Sequence, residues 1–352
     1  MERVNWRESA AERHCWECRR ALKAPAMLQT CARCQTALYC SVACHEAHWA
    51  AEHHRQCQPG GGTAFGHLAT AEEIKRDDFL DRFFDGQPVM IGRGGRGSVY
   101  RHPELEGVVV KVSTVKDACR GNNDEYRTMN ALAGIFQVKG YNFRNVELVR
   151  TWAFIADKLR SEHALFPADV GCYIIMDHVA KPTRGLVSAS PLTLQCYFNQ
   201  SSLDVVHKGR GEYVGCAEIG AILAAHGAST TVEDLIWDMG RFIAAVQLVA
   251  NFDGMDLEYV LGYVHDDPND LKVVAIDFDL CKPILDWNDD DAIYRCYWAI
   301  DAEEYFPKPD CDFPEHYNLF KKAYMSVAER AQRLDVAEVI FVRLEASAMG
   351  KP

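Results

Sequence analysis

The side chains best suited to chemistry come early in this chain. Cys15 and Cys18 are separated by two residues, as are Cys31 and Cys34, while Cys40/Cys44 and His53/Cys57 are separated by three. A pair spaced by two chelates from one tight turn, and a pair at i, i+4 faces one side of a helix. Eight soft ligands in four pairs are the donor set of two tetrahedral zinc sites. His54 adjoins His53 and competes for its position, although the spacing to Cys57 favours His53. A segment of fewer than about sixty residues buries little core, so the metals would supply most of its folding energy.

A second concentration of chemistry begins at residue 89 with "VMIGRGGRGSVYRH". A dinucleotide-binding turn would open a helix after its last glycine, but here a β-branched run follows. A Walker A loop needs Gly-Lys-Ser/Thr, which is absent. Gly92-x-Gly94-x-x-Gly97-x-Val99 is what remains, and it resembles the glycine-rich hairpin of protein kinases, whose backbone lies over ATP phosphates. That resemblance implies further residues, and the sequence offers one for each in order. Lys111 in "VVVKV" stands on the next strand, and strand alternation puts it on the same face as Val109. Glu125 in "NNDEYRTMNAL" is the helical carboxylate to hold it, with Asp124 adjoining. "YIIMDHV" resembles the hinge strand. "NFDGMDLEYVL" is similar to the catalytic loop, with Asp253 at the catalytic position, and Asp277 in "IDFD" takes the place of the magnesium-binding aspartate.

The departures are equally specific. Asn251-Phe252 replace the His-Arg before the catalytic aspartate, Glu258 replaces the metal-holding asparagine, and Asp279 replaces the glycine after "DF". A carboxylate at 258 can hold Mg²⁺ but adds negative charge beside a triphosphate. Plainer readings stay open for each residue. Lys111 would equally suit a solvated sheet edge, Glu125 an exposed helix face, Asp277 and Asp279 the wet face of an amphipathic strand, and Asp253 and Asp256 a turn.

The cysteine-rich segment, with "YCSVAC" and Trp49 between the last two pairs, resembles the MYND-type zinc finger. That resemblance implies interleaved sites, with Cys15, Cys18, Cys40 and Cys44 on one ion and Cys31, Cys34, His53 and Cys57 on the other. It also implies a protein-interaction module that docks short proline-containing peptides. The C-terminal half, through "FDGMDLEYVLG", "AIDFDLCKP" and "EEYFPKPD", resembles a fungal family of uncharacterised domains found beside zinc fingers, which implies a fungal source.

The positioning elements follow from pattern. "QPGGGTAFG" at 58–66 reads as a linker. A helix is expected over 70–84, then strands in "QPVMIGR", "GSVYRH" and "EGVVVKVST", and a helix around 123–135. "TVEDLIWDMGRFIAAVQLVANF" has helical apolar spacing, "LEYVLGYVH" and "LKVVAIDFDL" read as strands joined by "DDPND", and 312–347 is mostly helical. Strands first and helices later give an α+β body with two lobes. The expected organisation is a finger at 1–58, a linker at 59–70, and kinase-like lobes at 71–180 and 181–352.

Bulk properties narrow the function classes. Of the net charge of −12, residues 1–59 contribute +2 and the rest −14, so the acidic body is a poor partner for a nucleic-acid backbone. No apolar run reaches membrane-spanning length and the first residues lack a signal-peptide core, which places the expected protein inside the cell, in cytosol or nucleus. Seven of the fourteen cysteines lie outside the finger, scattered singly, and read as core fillers. Two functions follow as expectations. One is a zinc-dependent interaction protein whose kinase-like body acts as scaffold or pseudokinase. The other is an active phosphotransferase using ATP and Mg²⁺, in which Lys111 neutralises phosphates, Asp277 and Glu258 hold the metal, and Asp253 orients the acceptor hydroxyl.

Overall fold

The computed structural model describes residues 29–30, 38–39, 79–80, 83–84, 88–93, 97–102, 107–113, 116–156, 172–182, 194–199, 212–264, 271–302 and 304–350. The chain divides into two compact units, 1–73 and 74–352. In the first, strands β1 (Gln29–Thr30) and β2 (Leu38–Tyr39) pair antiparallel, with Gln29 opposite Tyr39. In sequence, Cys31 and Cys34 fall between the two strands and Cys40 follows the second. The eight expected zinc ligands, and His54, lie outside the described residues.

The second unit carries two sheets. The first is five-stranded and antiparallel, in the order β3-β4-β5-β8-β7. Its strands are β3 (Val89–Arg93), β4 (Ser98–Arg101), β5 (Val108–Ser113), β7 (Thr151–Ala156) and β8 (Cys172–Asp177). The "VVVKVS" of β5 and the "CYIIMD" of β8 are buried at every position, as befits central strands covered on both faces. Among the cover are Phe83 and Phe84 from the segment expected to be helical, with the Phe84 ring 5.8 Å from that of Tyr173. Helix α1 (Lys116–Lys139) also packs on this sheet. It begins well before the expected helix at 123, through Gly121, Asn122 and Asn123, which have low helix propensity. Tertiary packing overrides that propensity.

The second sheet runs β11-β10-β12-β13-β6, with β9 beside β12. Its strands are β6 (Val146–Leu148), β9 (Val179–Ala180), β10 (Leu194–Cys196), β11 (Glu212–Val214), β12 (Glu258–Val264) and β13 (Lys272–Ile276). The expected β12/β13 hairpin is antiparallel, with Glu258 opposite Ile276. The other four strands are too short for their sequence pattern to announce them, and all four precede α2, in keeping with strands first and helices later.

Among the described residues, five further helices follow: α2 (Cys216–Ala225), α3 (Val232–Ala244), α4 (Asp290–Asp301), α5 (Pro314–Ala331) and α6 (Leu334–Ala348). Thr231 and Asp234 form a reciprocal capping box at the start of α3, whose last turn widens into a π turn over Ala245–Val249. Gly240 on α3 meets α5, where a Cβ would lie 2.7 Å from the Phe320 carbonyl oxygen. Beneath this crossing, Phe306, Phe320, Phe341 and Tyr324 make a contiguous aromatic core. Among the described residues the second unit is an α+β body of two sheets and a helical layer, the α+β class expected from the sequence.

The scattered cysteines require one correction. Cys196, Cys216, Cys281, Cys296 and Cys311 are buried free thiols, but Cys119 on α1 and Cys172 on β8 are joined as a disulfide, with Cα atoms 5.5 Å apart. They are 53 residues apart in sequence, so only the packing of α1 on the sheet brings them together.

Because the backbone of α5 cannot withdraw from a new methyl group on α3, Gly240→Ala is expected to destabilise the body by about 1–3 kcal/mol. Urea unfolding measures it, and an unchanged midpoint would show that the crossing has room to spare.

Candidate functional site

The first sheet, α1 and the β12/β13 hairpin meet at a lysine that could not be buried unpaired. Lys111 sits in β5, between Val99 of β4 and Ile174 of β8, and is 8% exposed. It therefore occupies a central strand, not a sheet edge. Its Nζ donates to Glu125 Oε2 at 2.8 Å and to Asp277 Oδ1 at 2.7 Å. Burial opposes the ammonium charge, but Glu125 and Asp277 together hold it above the ordinary lysine range. The helix phase of α1 chooses between the adjacent carboxylates: Glu125 is buried against the lysine, whereas Asp124 is exposed. Burial pushes the Glu125 carboxyl up to about 7, with Lys111 pulling the other way.

Asp277 follows the last residue of β13 in the left-handed region, at φ 60°. A non-glycine residue there stores strain and persists only where its surroundings hold it, and here the Lys111 pair does so. The β12/β13 register sets Glu258 opposite Ile276 and so brings its carboxylate to the same end of the hairpin as Asp277. Glu258 accepts from Gln195 Nε2 at 2.9 Å. Burial pushes its carboxyl up to about 7, and the charges of Asp277 and then Asp256 add to the shift.

The glycines divide in role. Gly92 lies at a bulge in the β3/β4 pairing, opposite Val99. At Gly97 a Cβ would stand 2.5 Å from the Val112 carbonyl oxygen, so this glycine lets β4 approach β5 closely. Gly94 lies outside the described residues. The "YIIMD" strand ends at Asp177, whose carboxylate accepts from Arg150 through Nε and Nη2 and from Trp152 Nε1 at 2.7 Å. Arg150 also lies over the Trp152 ring at 3.9 Å. This clamp stiffens the chain where it leaves the first sheet.

Asp253 is placed unlike the others. It is 0% exposed, and both carboxylate oxygens are taken. Oδ1 accepts from the backbone N–H groups of Lys282 at 2.9 Å and Met255 at 3.2 Å, and Oδ2 accepts from Arg295 Nε at 3.0 Å. Its own N–H donates to Lys282 O, and its carbonyl accepts from Gln247 Nε2 at 2.8 Å. The structure thus brings Lys111, Glu125, Asp277 and Glu258 together and sets Asp253 inside the core. Asp256, which sequence reasoning treated only as a turn former, is exposed in the same loop at φ 61°, and its charge reaches Glu258. The signal for it was an Asp in a glycine-containing turn three residues past Asp253.

Comparison with known proteins adds the following. Residues 15–57 match the MYND finger family. No curated protein matches the sequence. Among solved structures the chain is similar to the Toxoplasma gondii specific rhoptry antigen kinase domain, at 10% identity over 74% of this chain and 81% of that one, with a TM-score of 0.34. Among the described residues, no helix is long and apolar enough to cross a membrane.

Glu258 makes stability depend on pH. The unfolded chain loses this proton near the ordinary value of 4.5, and the folded chain keeps it to about 7. The group therefore favours the folded state fully below pH 4.5, and that contribution is lost as pH rises to about 7. Glu258→Gln should remove on the order of 2 kcal/mol of the decline in stability between pH 5 and 8. Urea unfolding of both proteins at both pH values tests this, and equal pH slopes would contradict it.

Proposed function

We propose that the chain is a zinc-binding interaction protein, in which the finger recruits a protein partner and the kinase-like body serves as a scaffold without phosphotransfer. Asp253 carries the second half of this reading. A general base must reach the hydroxyl it deprotonates, whereas the carboxylate at the catalytic position is buried and holds three donors. Charge supports it as well. Around the single Lys111 stand the carboxylates of Glu125, Asp277 and Glu258, with the charges of Asp256 and Asp279 acting on them, an adverse field for a triphosphate. The match at 15–57 supports the interaction role, with a proline-containing peptide as the partner the resemblance suggests. The eight-ligand set suits two zinc ions, with Cys15, Cys18, Cys40 and Cys44 on one and Cys31, Cys34, His53 and Cys57 on the other. Thiolate donors must stay reduced, which favours an intracellular site of action, cytosolic or nuclear, in the fungal setting that the C-terminal resemblance suggests.

A second reading, an active phosphotransferase, draws on the Lys111–Glu125–Asp277 constellation and the strained backbone of Asp277. Asp277 and Glu258 offer hard oxygen ligands suited to Mg²⁺, which would neutralise phosphate charge. Lys111 would then turn toward the phosphates of ATP beneath the Gly92–Gly97 hairpin.

Two measurements separate the readings. The zinc-loaded chain should release no ADP from ATP and Mg²⁺ above background, and Asp253→Ala should destabilise it by about 3–5 kcal/mol by stranding Arg295 and two backbone donors. ATP turnover that Asp253→Ala abolishes at an unchanged unfolding midpoint would establish the phosphotransferase instead. Elemental analysis of the purified chain should find about two zinc ions; one or none would contradict the paired-site assignment.

A further inference from the structure

The front half of α1 is held to the sheet by means that a helix does not ordinarily use. Between Cys119 and Asp124 it has no aliphatic or aromatic side chain; its apolar contacts begin further on, with Tyr126 against Phe154 and then Met129, Leu132 and Phe136. Gly121 and Asn122 are buried there, and Asn122 Oδ1 has no hydrogen-bond partner among the described residues. Neither residue favours a helix, and an unsatisfied buried oxygen opposes this packing further. What joins this stretch to β8 is the Cys119–Cys172 disulfide, with Asn122 Nδ2 3.6 Å from Cys172 Sγ.

The staple lies next to the cleft's ion pair on both sides. Cys119 precedes Glu125 by six residues on α1, about 9 Å along the helix axis. Cys172 pairs with Ser113, two residues from Lys111 on β5. A covalent link here fixes both ends of the Lys111–Glu125 contact, and its loss leaves that contact dependent on a polar, glycine-containing half-helix.

We propose that Cys119 and Cys172 are a reversible thiol–disulfide modification site, whose oxidised form locks the front half of α1 to the sheet beside the Lys111–Glu125 pair and whose reduced form leaves that half-helix looser. The oxidant class is a low-molecular-weight disulfide such as glutathione disulfide. Cys119 is partly exposed and Cys172 is fully buried, so exchange enters at Cys119. The Cys119 thiolate attacks the oxidant, forming a mixed disulfide and expelling one thiolate. The Cys172 thiolate then attacks Cys119 Sγ and expels the second. The two protein thiols lose two electrons and two protons, and the oxidant becomes two thiols. The inference rests on the Lys111–Glu125 pair as the anchor of the cleft and is independent of whether the cleft turns over ATP.

The zinc-loaded full chain, equilibrated with glutathione disulfide or with dithiothreitol, provides the test. Peptide mapping after alkylation should find Cys119 linked to Cys172 in the first case and both alkylated in the second. Amide exchange over 116–127 should be roughly tenfold slower in the oxidised form, and Cys119→Ser, at the partly exposed position, should exchange at the reduced rate under both conditions. Glu125→Gln should still form the link, which separates the redox site from the ion pair and from the ADP-release measurement. Two alkylated cysteines after oxidation, or equal exchange in the linked and reduced chains, would overturn the proposal.

Discussion

The body depends on one constraint: an ammonium group cannot be buried in a sheet without carboxylates to receive it. Lys111 lies on a central strand with Val109, Val110 and Val112 around it, a position that residue pattern would assign to another valine. Leaving its charge unpaired there would cost several kcal/mol. Glu125 comes from the helix packed on one face of the sheet and Asp277 from the end of a strand in the other sheet. The three side chains therefore join the first sheet, α1 and the β12/β13 hairpin. Moving any of these apart exposes the same unpaired charge, so the electrostatic demand of one residue fixes the relation of three elements.

The same rule, applied a few residues away, has the opposite consequence for chemistry. The loop after α3 is pinned by Gln247, whose side chain donates to Asp253 O and Cys296 O and accepts from Tyr324 Oη, so both ends of its amide are engaged. The π turn presents Gln247 to this loop, a typical use of that widening. Drawn inward, Asp253 must satisfy its own charge, and it does so with Arg295 and two backbone N–H groups. A carboxylate so satisfied is stabilising and sequestered. The feature that makes the loop rigid is the one that removes its aspartate from the cleft.

Much of this was legible in the sequence, and what was not has a common cause. β-branched runs bounded by turn residues located the first sheet and the β12/β13 hairpin, and alternation within "VVVKV" placed Lys111 on the face of Val109. Apolar residues at helical spacing from Thr231 located α3. Choices that depend on distant partners could not be read. Whether Glu125 or Asp124 meets the lysine is set by the phase of a helix that starts at Lys116 and runs through "GNND", a stretch that argues against helix. The burial of Asp253 is decided by Arg295, 42 positions later. The Cys119–Cys172 link spans 53 positions and crosses from helix to sheet. Local pattern carries local structure, and a side chain's partner is a property of the packed whole.

These placements shift the question of function from the glycines to the carboxylates. Gly97 is required by the approach of β4 to β5 whether or not a phosphate ever lies beneath it, so this glycine is accounted for by packing. The carboxylates are not so easily accounted for. Glu258 and Asp277 are held at the same end of one hairpin, with Asp256 close enough to raise the pKa of Glu258, and burial sets each against the other's charge. Such an arrangement is relieved by a proton or by a cation. Near neutral pH the first relief is half available, because the Glu258 carboxyl titrates at about 7. The retained proton and a bound cation are thus alternative answers to the same repulsion, and both act at the end of the β12/β13 hairpin, where Glu258 and Asp277 meet.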